Sequence, residues 1–146
     1  KRQFAEVTIR CEDHAIQAHA GVLAASPVFE KMLQSSMMEG NTRVIQVDDF
    51  SASAVEGFLE ILYTGRCSSA VHWGDVLLMA DKYQVDGVIN ICLANMRSTL
   101  SVETVVPYFW ALNKVSHLED VKSAKDEMLN KVKLNTELLH KLVEAV

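Results

Sequence analysis

The spacing of apolar residues changes along this chain, and the order of the changes narrows the folds open to it. From Val7 to Cys11 the residues alternate, with Val7, Ile9 and Cys11 apolar and Thr8 and Arg10 polar, the two-residue repeat of a half-buried strand. Glu12-Asp13-His14 predicts a turn. Ala15-Ile16-Gln17-Ala18 predicts the returning hairpin strand, although alanine is a poor strand former. Residues 19–25 (HAGVLAA) then read as a short helix. Ser26-Pro27 supplies an N-cap with proline at the first helical position, and Val28, Phe29, Met32 and Leu33 lie on one face of the helix that follows. Residues 34–42 (QSSMMEGNT) predict a surface loop, and Val44-Ile45-Gln46-Val47 a third short strand closed by Asp48-Asp49.

Beyond that strand every repeat is helical. Ser53-Ala54-Val55-Glu56 reads as a capping box, in which serine and glutamate each satisfy a free amide. Val55, Phe58, Leu59 and Leu62 follow at helical spacing, and Gly65 predicts a left-handed stop. Helices are expected over about 74–83, lined by Val76, Met79, Ala80 and Tyr83, and 86–97, lined by Val88, Ile89, Cys92 and Met96. The short junction at 84–87 predicts that they pack as an antiparallel pair. Residues 100–146 read as helical throughout: Ser101 caps a helix to about Asn113, and Ser116-His117-Leu118-Glu119 opens another that buries Leu118, Val121, Ala124, Met128 and Val132. Asn135 caps a last helix with Leu138, Leu139, Leu142, Val143 and Val146 on its apolar side. Pro107 predicts a kink or a delayed start, since an interior proline costs ~3 kcal/mol. The predicted class is α+β: a small three-stranded sheet flanked by helices, then an all-helical C-terminal extension.

Composition excludes several functions. The 146 residues suit one compact domain, and no run approaches the roughly 18 uninterrupted apolar residues of a membrane span. The net charge is −5, with twelve acidic against eight basic side chains in 1–99 and seven against six thereafter. An acidic chain argues against a nucleic-acid partner. Three cysteines, Cys11, Cys67 and Cys92, are odd in number and far apart, which predicts free thiols in a reducing compartment, nucleus or cytoplasm. The start at KRQF, without a methionine or a charged-then-apolar leader, predicts a fragment of a longer protein with no signal peptide.

Enzyme signatures are missing: no GxGxxG, GxxxxGK[ST] or GxSxG occurs. Cys11 with His14 and His19, and Cys67 with His72, fall short of the four ligands of a structural metal site. Asp48-Asp49 reads as a strand end beside a helix start, His19 as a packing residue, and Trp73 and Trp110 as packed aromatics. No catalytic residue, cofactor or metal is expected. Met37-Met38-Glu39 stands out as two methionines and an acid in a polar loop.

Taken in order, HAGVLAASPVFEKML, RVIQV, FLEILYTG and LLMADKYQV, with LSVE at 100–103, resemble the BTB/POZ family over residues 4–97. The chain most resembles the speckle-type, MATH-associated branch, with 98–146 in the position of its three-box or the start of a BACK domain. The resemblance implies a non-catalytic homodimer that docks on a cullin-3 scaffold as the substrate adaptor of a ubiquitin ligase. The substrate protein would be held by a module outside these residues. The branch's cullin signature, an apolar residue, any residue and glutamate ahead of the third strand, falls on Met37-Met38-Glu39. It implies cullin contacts at Met37 and Glu39, with Tyr83 and Tyr63 on the same side, and dimer contacts at Val22, Leu23 and Phe29. The alternative is a self-association module, as in BTB transcription regulators or other oligomeric assemblies, without cullin binding. The chain departs from the family at Glu6, where aspartate is usual, and at Ala20, where lysine or arginine is usual. It also lacks one residue between Ala25 and Ser26, shortens the 66–73 connection, and has no long N-terminal helix.

Overall fold

The computed structural model describes residues 6–35, 43–67 and 72–145. Strand β1 (Val7–Cys11) pairs antiparallel with β2 (His14–Ala18) from Val7↔Ala18 to Cys11↔His14. That register leaves Glu12-Asp13 as a two-residue turn, with Glu12 in the left-handed region at φ 53°, as such hairpins require of at least one central residue. β3 (Arg43–Val47) lies parallel to β1 on its other edge, giving the order β2-β1-β3. Val7, Ile9, Cys11, Ile16, Ala18, Ile45 and Val47 face the core. Arg10, Gln17, Val44 and Gln46 lie on the exposed side. The predicted mixed α+β architecture is present, with eight helices among the described residues.

The helices are α1 (Ala20–Leu23), α2 (Pro27–Ser35), α3 (Ala52–Thr64), α4 (Trp73–Lys82), α5 (Asp86–Ser98), α6 (Val105–Lys114), α7 (Glu119–Lys133) and α8 (Thr136–Glu144). Ser26 caps α2 as expected: its Oγ accepts from the Phe29 N–H at 3.1 Å and donates to the Tyr83 carbonyl. Gly65 ends α3 at φ 80°, its N–H reaching the Ile61 carbonyl. Asn135 caps α8 by accepting from the Leu138 N–H at 3.1 Å. Pro107 falls in the first turn of α6, where its missing N–H has no intrahelical partner to lose, so the helix starts late rather than kinking.

Three predicted caps move. The N-cap of α6 is Thr104 rather than Ser101, whose N–H donates to Thr104 Oγ1 at 2.8 Å. The cap of α3 is Ser51, whose extended backbone lets its Oγ accept from the Ala54 N–H at 3.1 Å; Ser53 already lies inside the helix. The N-cap of α7 is Leu118, with no side-chain bond. Glu119 and Asp120 sit in its first turn, where carboxylates oppose the helix's positive end.

A continuous core runs from the sheet to α8. At its centre Phe29 and Tyr83 stack with ring centroids 4.2 Å apart, and Phe58 meets Phe29 edge-on at 6.3 Å. Val105, Leu112, Val121, Ala124, Met128 and Val132 extend the same core without exposure. Arg97 Nε on α5 lies 3.1 Å from Glu127 Oε1 on α7, close enough for charge attraction but off the hydrogen-bond direction. Three expectations about packing fail. Leu118 is half-buried rather than closed. Trp73 is buried, but Trp110 is 56% exposed, with Lys114 Nζ 4.6 Å over its ring. On α8 Leu138 is buried and Leu142 half-buried, while Leu139 and Val143 are open, because α8 packs mainly on α6 and α7. Val146 lies outside the described residues.

Candidate protein-interaction site

Cys11, Cys67, Asp48 and Asp49 each have a structural partner. Cys11 is buried and its Sγ donates to the Phe50 carbonyl at 2.9 Å. Burial, with the acids at Glu12, Asp48 and Asp49 adding to it, pushes its thiol up. Burial, helped by Cys67, pushes the Cys92 thiol up to about 12. Both therefore stay protonated near neutrality, the unreactive form. Cys67 Sγ donates to Glu60 Oε1 at 3.3 Å. Asp48 accepts from Gln46 Nε2 at 2.8 Å, and Asp49 pairs with Lys82 at 2.7 Å, tying the end of β3 to the last turn of α4. Among the described residues no group of three or more His, Cys, Asp or Glu is placed to hold a metal ion.

The residues singled out in the sequence divide by depth. Tyr83 is 2% exposed, its ring stacked on Phe29, and burial raises its phenol. Phe29 and Leu23 are closed off within this one chain. Tyr63 is half-buried on α3. Its hydroxyl lies 2.7 Å from His19 Nδ1 and accepts from the His19 N–H at 2.9 Å, which fastens α3 to the start of α1. Val22 is half-buried on α1 among exposed Gly21, Ala24 and Ala25. Met37 and Glu39 lie outside the described residues.

The outer side of α2 is the apolar surface nearest to Met37 and Glu39 in sequence. Val28 and Met32 are half-buried there. With Pro27, Lys31 and Gln84 they line a depression of about 500 Å³. Gln84 contributes from the α4–α5 junction, where it adopts φ 58°. α2 runs to Ser35, and Met37 follows two residues later.

The model of the BTB/POZ domain family matches residues 1–100. The chain belongs to the BTB/POZ family. A BTB/POZ domain-containing protein of Arabidopsis thaliana is 32% identical over 151 residues, covering 98% of this chain and 60% of that protein. TD and POZ domain-containing protein 2 of Mus musculus is 30% identical over 104 residues, covering 68% of this chain and 29% of the mouse protein. Human Kelch repeat and BTB domain-containing protein 4 is 29% identical over 124 residues, covering 84% and 23%. The chain thus spans between about a quarter and three-fifths of these relatives. The BTB domain of human gigaxonin superposes with a TM-score of 0.54 at 19% identity, covering 63% of this chain and 77% of that one, a likeness of fold.

Two carboxylates in this BTB domain were not singled out as structural. Glu6 Oε1 accepts from the Ala20 N–H at 2.6 Å, so the residue just ahead of the first strand caps α1. That bond holds the Glu6 carboxyl below its ordinary range, against the opposing effect of burial. Glu12 Oε1 accepts from the Ala52 N–H at 2.8 Å, so the hairpin turn shares the capping of α3 with Ser51. Both partners lie far off in sequence, beyond the reach of a local capping pattern. BTB domains are typically interaction modules without catalysis, and no helix of the described residues is long and apolar enough to cross a membrane.

Proposed function

We propose that this BTB domain is a non-catalytic adaptor that pairs with a second copy of itself and docks on a cullin-3 type scaffold. Residues 4–97 form the dimerising core, and 98–146 form a three-box-like extension that widens the cullin contact. A substrate protein is held by a part of the polypeptide outside these residues, and the assembly works in the nucleus or cytoplasm. The observation that carries the reading is the position of Met37-Met38-Glu39. It follows directly on a helix whose outer side carries half-buried Val28 and Met32, and it precedes the third strand. Met37 enters a pocket of the scaffold, and Glu39 meets a donor or helix start at the rim. Tyr63 and Tyr83 act from behind by positioning, the first through its bonds to His19 and the second through its stack on Phe29.

In the dimer, Val22 supplies the apolar contact, and the small residues around it let a second backbone come close. Leu23 and Phe29 support α1 and α2 from beneath. Titration calorimetry with the N-terminal part of a cullin-3 scaffold tests the docking. Glu39→Lys is expected to weaken binding by about 2 kcal/mol, about thirty-fold, with an unchanged thermal transition. An unchanged affinity would overturn the assignment of the loop. A chain that is dimeric but binds no cullin would favour self-association alone.

A further inference from the structure

Ser116-His117-Leu118-Glu119 has the spacing of a capping box, but the helix that follows does not use it as one. The N-cap of α7 is Leu118, and Ser116 lies two residues outside the helix. Ser116 is half-exposed in a four-residue turn, closed by the Leu118 N–H on the Val115 carbonyl at 3.1 Å. Glu119 and Asp120 stand three and four positions after it, both exposed, in the first turn of α7. Among the described residues two other serines have an acid three positions on, Ser53 before Glu56 and Ser123 before Asp126. Both lie inside helices, Ser53 in α3 and Ser123 in α7.

We propose that Ser116 is a phosphorylation site for an acidic-directed protein kinase, one whose basic substrate groove reads carboxylates placed after the serine. Local structure selects it over Ser53 and Ser123. A kinase must lay the residues around the hydroxyl along its own surface, which costs little in a turn and breaks hydrogen bonds in a helix. The first turn of α7 has no side-chain cap, so it frays at low cost and releases Glu119 and Asp120 to the groove. The pair between Glu119 and Lys122 is 3.5 Å long and exposed, too weak to withhold the carboxylate. In the reaction Ser116 Oγ attacks the γ-phosphorus of ATP, and the bond from that phosphorus to the bridging oxygen breaks. ADP leaves with the electron pair, and the hydroxyl proton passes to the kinase's catalytic aspartate. The product carries a charge of about −2 at the joint between α6 and α7. It lies beside His117, whose Nε2 is 3.5 Å from Asp81 Oδ1 on the last turn of α4. The site uses none of Met37, Glu39 or Val22 and does not rest on cullin docking.

The test is incubation of the whole chain with casein kinase II and magnesium ATP, with the modified residues mapped by tandem mass spectrometry. Phosphate is expected at Ser116 about ten-fold faster than at Ser53 or Ser123, where a helix must open first. Glu119→Gln with Asp120→Asn should slow the reaction at Ser116 about ten-fold, because kinases choose among substrates by such charge patterns. Both side chains are exposed, so circular dichroism of the double variant should match the parent. The proposal is overturned if Ser116 gains no phosphate, if Ser53 or Ser123 is modified as fast, or if the double variant reacts at the parent's rate.

Discussion

Helices α3 and α8 start from the same local instructions and end in different surroundings. Each opens on a polar residue whose side chain accepts an amide three positions on, Ser51 from Ala54 and Asn135 from Leu138. Each then places apolar residues at helical spacing. Yet α3 buries Ala52, Ala54, Val55, Gly57, Phe58, Leu59 and Ile61, whereas Leu138 is the buried residue of α8. Caps and periodicity make a helix; the number of neighbours decides how much apolar surface that helix removes from water.

The contrast can be broken first at its deepest point. Phe58→Ala should lower stability by about 3–5 kcal/mol in urea denaturation, since its cavity would open beside Phe29 and Tyr83. Met128→Ala in α7 should lower it by about 2–4 kcal/mol, because the extension shares the same closed core. A loss as small as that of a surface change would mean that the extension packs loosely. Ser51→Ala should lose about 1 kcal/mol at the start of α3. Asn135→Ala should lose a similar local amount, but amide exchange should detect it mainly in α8, which has less packing to hold it. At the shallow extreme, Val143→Ser should stay within about 0.5 kcal/mol of the parent.

Acidity probes a different contact of the same kind. The Glu6 carboxyl is held below its ordinary range by the Ala20 N–H, so the folded chain binds that proton less readily than the unfolded one. Its contribution is complete above the ordinary carboxylate range and is lost as pH falls through the depressed value. Glu6→Gln should therefore flatten the acid limb of the stability profile while leaving its slope near neutral pH unchanged.

The hairpin, the Ser26-Pro27 start, the Gly65 stop and the Asn135 cap were legible because each is decided within a few residues. The start of α3 was misplaced by two residues because Ser51 and Ser53 both fit a cap pattern; backbone geometry and a distant carboxylate, Glu12, select the first. Trp110, Leu139 and Val143 were assigned to packed faces by type and period, which cannot say whether another element arrives to cover them. The same difficulty applies to the interaction residues. An apolar residue in an early helix can be a contact or part of the core, and only depth separates half-buried Val22 from closed Leu23 and Phe29. Met37 and Glu39 were legible by their resemblance to a family signature, not by any local rule.

A BTB domain acts by presenting surfaces to other proteins. Light scattering of this chain mixed with the N-terminal part of a cullin-3 scaffold tests that most directly. It predicts one particle with the mass of two chains and two scaffold fragments, reduced to one of each by Val22→Asp. Two separate components, each with the mass of a single chain, would contradict it.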